Sequence, residues 1–116
     1  MNAEDRIANS KNYKGGIDIV KMHEDGRVLK YRIFRIRHHI TLRELSEQAG
    51  VSQQWISQIE LMECHPTTQT KVKLIVAMRN TLLQRGELAA AALLDFQNIR
   101  HQLFESGMES EALSDE

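Results

Sequence analysis

Apolar residues recur at three- and four-residue steps along five stretches of the chain, which is the spacing of one face of an α-helix. The clearest case is residues 27–39, where Leu29, Ile33 and Ile36 fall on one side. Similar patterns predict helices over residues 42–49, 53–62, 72–82 and 87–104. The sequence therefore predicts an all-α fold, a compact bundle of about five helices.

Residues with capping chemistry mark where two of these helices begin and end. Thr41-Leu-Arg-Glu44 has the form of a capping box, in which the threonine oxygen and the glutamate carboxylate each accept from a free backbone N–H group. Gly50 is placed to end that helix, because glycine adopts a positive φ at low cost. Ser52 is placed as the N-cap of the next helix, which is predicted to start at Gln53.

The two ends of the chain differ from this helical middle. Residues 1–16 are polar and predict a mobile arm, whereas residues 17–24 fit a short strand or a helical turn, with the helical turn slightly favoured. Asp25-Gly26 is a hairpin signal, although Asp25 also suits an N-cap. We divide the chain into a partly ordered arm at 1–25, a helical domain at 26–84, a long C-terminal helix at 85–105 and a frayed acidic tail at 106–116.

The net charge of −1 conceals an uneven distribution of charge. Residues 1–40 carry nine Lys and Arg against five Asp and Glu, while residues 81–116 carry two against seven. A basic front with an acidic end is compatible with a charged partner that meets one face, although solvated helices show the same pattern.

Composition limits the class of protein. A chain of 116 residues, 41% of them hydrophobic, is expected to form one soluble domain with a modest core. It has no apolar run of membrane-spanning length and no apolar segment typical of a secretory leader. Cys64 is the single cysteine, which favours a cytoplasmic location.

The turn between the two short helices predicts a geometry suited to DNA. A glycine corner sets the second helix steeply across the first, and Leu45, Ile56 and Ile59 are placed to hold that angle from inside. The first turn of the second helix then protrudes and can enter a major groove about 12 Å wide.

Residues 34–78 resemble the helix-turn-helix domains of the Cro and lambdoid phage repressor type, the XRE family. The resemblance rests on Phe34-Arg35, on Pro66 through Met78, and on Thr41, Glu44, Leu45, Gly50, Val51, Ser52, Ile56, Ser57, Ile59 and Glu60. It implies a lambda-repressor-like fold in which residues 26–84 form the DNA-binding domain. The implied function is that of a dimeric, sequence-specific regulator that represses a bacterial, phage or mobile-element promoter.

The resemblance also implies which side chains touch DNA. It implies Ser52, Gln53, Gln54, Ser57 and Gln58, and the full predicted set adds Thr41, Arg43, Trp55 and Lys71. A glutamine amide can bond bidentately to N6 and N7 of adenine, so we expect Gln53 to bind an A·T pair. The simpler interpretation is a polar, solvated helix face. Trp55 has two interpretations, a contact to DNA or a half-buried ring packed over the preceding helix.

Other positions of the family pattern are structural or do not match. Arg35 and Glu60 stand where the family forms a partly buried ion pair. Met62 stands where glycine or asparagine is usual, so the third helix is expected to end differently, and an acidic Glu63-Cys64-His65 segment replaces a basic loop. Basic residues that could compensate for this loss are Arg27, Lys30, Arg32, Arg37, Arg43, Lys71 and Lys73.

The last predicted helix is more apolar than a solvent-exposed helix should be. It can fold back on its own domain or form a two-fold seam between copies. We favour the dimer, because pairing two DNA-reading helices matches half-sites about 34 Å apart. The predicted dimer residues are Leu88, Ala92, Phe96, Ile99 and Leu103.

No pattern indicates catalysis, a metal or a cofactor. His38-His39 point apart on a helix, and Cys64-His65 lacks a second pair at ligand spacing. The expected partners are a double-stranded DNA operator, a second copy of the chain and a protein such as an antirepressor or a toxin, but no membrane. The alternative function is that of an antitoxin or protein-interaction module, in which the C-terminal helix or the N-terminal arm binds a protein.

Overall fold

The structure is a computed structural model that describes residues 26–112. The predicted arm at 1–25, with its open choice between strand and helix at 17–24, lies outside the described residues, as do residues 113–116. Within residues 26–112, no helix is long and apolar enough to cross a membrane.

Five α-helices build most of the described fold, which confirms the predicted all-α bundle. They are α1 (Lys30–Arg37), α2 (Leu42–Ala49), α3 (Gln53–Glu60), α4 (Thr68–Gln84) and α5 (Ala90–Ile99). Short 3-10 turns cover Gly86–Ala89, Arg100–Gln102 and Glu109–Ala112. Two strands, β1 (Arg27–Leu29) and β2 (Ser106–Met108), form a small antiparallel ribbon.

The ribbon corrects two predictions about the ends of the domain. The first helix begins at Lys30, because Arg27–Leu29 pair with Ser106–Met108 in the register Arg27↔Met108 and Leu29↔Ser106. The segment after residue 105 is therefore not frayed in its described part. Ala112 is buried against Val28 and Ile33, which fixes the last 3-10 turn to the ribbon and α1.

The predicted long C-terminal helix is interrupted. Gly86 has φ 66° and starts a 3-10 turn, α5 covers only Ala90–Ile99, and a second 3-10 turn follows it. These breaks let the segment follow the surface of the domain instead of extending from it.

The same segment supplies core residues, so part of the predicted dimer seam is wrong. Phe96 is 1% exposed and Leu103 is 0% exposed, and both belong to the main core cluster. Ala92 and Ile99 are partly buried against that cluster. Only Leu88 of the predicted set is fully presented to solvent, at 97% exposure. The apolar face of the segment covers its own domain, which removes it from solvent without a second copy.

Three consecutive helices end with a residue in the left-handed region, namely His39 (φ 57°), Gly50 (φ 69°) and Met62 (φ 64°). After α3, the N–H of Met62 donates to the carbonyl of Ile59 and the next N–H donates to that of Gln58. These two bonds form a Schellman motif, which normally has glycine at the position of Met62. The unusual residue therefore leaves the helix end in its ordinary geometry, and α3 stops at Glu60.

Candidate nucleic-acid interface

The corner between α2 and α3 is built by the local chemistry that the sequence indicates. Thr41 and Glu44 form the complete capping box, with the Glu44 N–H donating to Thr41 Oγ1 at 3.0 Å and the Thr41 N–H donating to Glu44 Oε1 at 2.9 Å. Ser52 Oγ accepts from the N–H of Trp55 at 3.0 Å and caps α3. Apart from its chain neighbours, no atom lies within 4 Å of a Cβ placed on Gly50, so its positive φ, and not lack of space, is what favours glycine there.

One side of α3 is anchored in the core. Ile56 and Ile59 are 0% and 1% exposed, and the Glu60 side chain is completely buried. The Arg35 guanidinium donates to both oxygens of Glu60, from Nε at 2.8 Å and from Nη2 at 2.9 Å. Arg35 Nη1 also donates to the carbonyl of Ile40 at 3.1 Å. The expected ion pair is therefore present, and it joins α1 to α3.

The opposite side of α3 is presented to solvent at its first turn. Gln53 and Gln54 are exposed, whereas Ser57 and Gln58, one turn further on, are half-buried. Trp55 is 41% exposed, so part of it is covered and part reaches solvent, which is compatible with both interpretations. Among residues 26–112, the first turn of α3 therefore has a polar surface that its own domain does not bury.

The predicted residues beside α3 have different surroundings. Thr41 and Arg43 are exposed, and Arg43 Nε lies 3.4 Å from Glu47 one turn along α2. Lys71 is half-buried, with its Nζ 5.7 Å from the centre of the Phe104 ring. Its charge is therefore held against an aromatic ring of the same chain, unlike that of Arg43.

The basic side chains of β1 and α1 contact the C-terminal segment of the same chain. Lys30 Nζ lies 3.6 Å from Glu105 Oε1, and Arg32 Nε lies 3.4 Å from Glu109 Oε1. Arg37 Nη2 donates to the backbone carbonyl of Glu111. The uneven charge of the sequence is compatible with a charged external partner and equally with solvated helices. The structure pairs part of the basic front with part of the acidic end.

Arg85 is a structural residue that the sequence analysis missed. Its guanidinium donates to the carbonyls of His38 and His39, each at 3.0 Å, and to Glu44 Oε1 at 2.9 Å. Partial burial raises the pKa of Glu44, but hydrogen bonds from Thr41 and Arg85 and the positive charge of Arg85 outweigh it, so the pKa lies below its ordinary value. No local pattern marks Arg85, because its partners are 41 to 47 residues away in sequence.

Two observations bear on metal binding and thiol reactivity in the described region. Residues 26–112 contain no group of three or more His, Cys, Asp or Glu side chains placed to hold a metal ion. Burial, and secondarily the charge of Glu63, raises the pKa of the Cys64 thiol, which disfavours the reactive thiolate.

Comparisons with protein-family models, curated proteins and solved structures find no match to this chain. The resemblance to the Cro and lambdoid repressor type is thus an inference from the motif alone.

Proposed function

We propose that this protein binds double-stranded DNA in a sequence-specific manner and regulates transcription, acting as a dimeric repressor that occupies an operator. The observation that carries the proposal is the two-sided character of α3. Ile56, Ile59 and Glu60 fix its inner side, and the exposed Gln53 and Gln54 stand at its free tip. A rigid helix with an exposed first turn is the arrangement by which helix-turn-helix proteins read the major groove.

The hydrogen-bonding groups of glutamine specify which base the first turn of α3 would bind. The amide offers one acceptor and two donor hydrogens, which match N6 and N7 of adenine in the major groove. Each such bidentate pair discriminates against a wrong base by about 1–3 kcal/mol, or about 5- to 150-fold in affinity. Gln53 is therefore assigned to an A·T pair of the half-site.

The test is selection of bound duplexes from a random DNA library, followed by affinity measurements on the selected sequence and its single-base variants. Gln53→Ala should flatten the preference at one A·T position and leave other positions unchanged. Gln97→Ala, which alters an exposed glutamine on α5, is the matched control and should leave every preference unchanged. Selection of no sequence by the wild-type protein, or an unchanged preference in Gln53→Ala, would refute the assignment.

A protein-binding function is the second candidate, and exposed apolar side chains favour it. Val72, Val76 and Leu83 lie at four- and seven-residue steps on α4 and are 54%, 39% and 53% exposed. They form a stripe on the side of α4 that faces away from its buried residues. Protein binding alone predicts no salt-dependent affinity for DNA, so a salt titration separates the two candidates.

A further inference from the structure

An open cleft of about 470 Å³ lies where β1, α1, α3 and the C-terminal 3-10 turn meet. Arg27 and Arg32 line it from β1 and α1. Ser57 lines it from α3, Leu61 from the residue after that helix, and Glu109 from the 3-10 turn. Two arginine side chains and one glutamate side chain therefore line the same cleft.

The cleft continues the exposed side of α3. Ser57 and Leu61 follow Gln53 at four-residue steps, and residues at such steps are neighbours on one side of a helix. The row begins at the first-turn glutamine and ends in the cleft. A duplex that meets Gln53 therefore extends toward the two arginines.

The charges in the cleft are loosely engaged. Arg27 is exposed, and its Nη1 lies 3.4 Å from Ser106 Oγ. Arg32 reaches Glu109 at 3.4 and 3.5 Å and Glu60 at 3.3 Å, all longer than the 2.8 and 2.9 Å bonds between Arg35 and Glu60. Since Arg35 already neutralises Glu60, Glu109 is the carboxylate with which another anion would compete for the Arg32 side chain, which is 20% exposed.

We infer that this cleft is a phosphate-binding extension of the DNA surface, in which Arg27 and Arg32 contact the sugar-phosphate backbone. The inference rests on the proposed function. Glu109 occupies the position of a phosphate beside Arg32, and its 46%-exposed side chain can turn away when DNA arrives. Glu109 therefore weakens DNA binding by competing with phosphate for Arg32 and by repelling the backbone.

The experiment uses a fluorescein-labelled 20-base-pair duplex of random sequence, because phosphate contacts are independent of base sequence. Fluorescence anisotropy gives the Kd over a range of KCl concentrations for the full chain. Arg27→Gln should weaken binding about five- to tenfold at 0.1 M salt and reduce the slope of log K against log salt by about one. Glu109→Gln should tighten binding severalfold and steepen the slope by up to about one.

Two variants control for net charge. Arg100→Gln removes an exposed positive charge outside the cleft, and Glu105→Gln removes a carboxylate that is 62% exposed and pairs with Lys30. Both should change the Kd less than twofold. Thermal unfolding of every variant tests whether the fold is retained.

The possible outcomes separate the two hypotheses. Wild-type protein that lacks salt-dependent DNA affinity would overturn the proposed function. Wild-type protein that binds DNA while Arg27→Gln and Glu109→Gln behave like their controls would overturn only the phosphate site in the cleft.

Discussion

Replacing Arg35 by methionine should be among the most destabilising single changes in this domain. The substitution leaves the Glu60 carboxylate, whose side chain is 0% exposed, without its two shortest hydrogen bonds. Loss of one partner of a buried ion pair typically costs about 3–5 kcal/mol. Arg32 Nη1 remains 3.3 Å from Glu60 and compensates part of the charge, so we expect about 3 kcal/mol. A domain of this size is stable by only about 5–15 kcal/mol in total.

Urea unfolding followed by far-ultraviolet circular dichroism measures this change. The double variant Arg35→Met with Glu60→Leu completes a mutant cycle, and it should recover about half or more of the loss, because the stranded charge is then removed. Arg43→Met is the control. Its pair with Glu47 is 3.4 Å long and the two side chains are 79% and 67% exposed. That change should cost less than about 0.5 kcal/mol.

Two results would refute the reasoning. One is a loss below about 1 kcal/mol in Arg35→Met, which would mean that the buried Glu60 carboxylate does not depend on Arg35 and that its remaining contact with Arg32 is sufficient. The other is a double variant that is less stable than both single variants, which would mean that the two side chains stabilise the fold independently and not as a coupled pair.

Two further predictions concern helix ends. His39→Gly should stabilise the domain by about 0.5–1 kcal/mol, because His39 is exposed and holds φ 57° at the end of α1, and His39→Ala, which keeps a Cβ, should give no such gain in urea unfolding. Because folding lowers the pKa of the Glu44 carboxyl, its charge stabilises the folded state at pH values above the pKa that Glu44 has in the unfolded chain. This stabilisation is lost as the pH falls through the pKa that Glu44 has in the folded protein. The difference in unfolding free energy between wild type and Glu44→Gln should therefore shrink from pH 7 toward pH 3, and a constant difference would contradict this assignment.

Features that depend on residues close together along the chain could be predicted from the amino-acid sequence. The capping box at Thr41 and Glu44 and the αL corner at Gly50 follow from the conformations and hydrogen bonds of a few consecutive residues. The existence of five helical segments follows from apolar spacing within each segment, although the extent of the first and last does not. The family motif pointed to the pair of Arg35 and Glu60, which no local pattern alone would have joined.

Most contacts between residues far apart along the chain became evident only from the folded structure. Arg27–Leu29 continue the apolar spacing of α1, yet they form a strand because Ser106–Met108 offer a complementary backbone edge from the far end of the chain. From the sequence, Phe96 and Leu103 are equally compatible with a dimer interface and with an internal core, because an apolar side chain is stabilised by burial against any apolar surface. Only the folded chain shows that their own domain covers them.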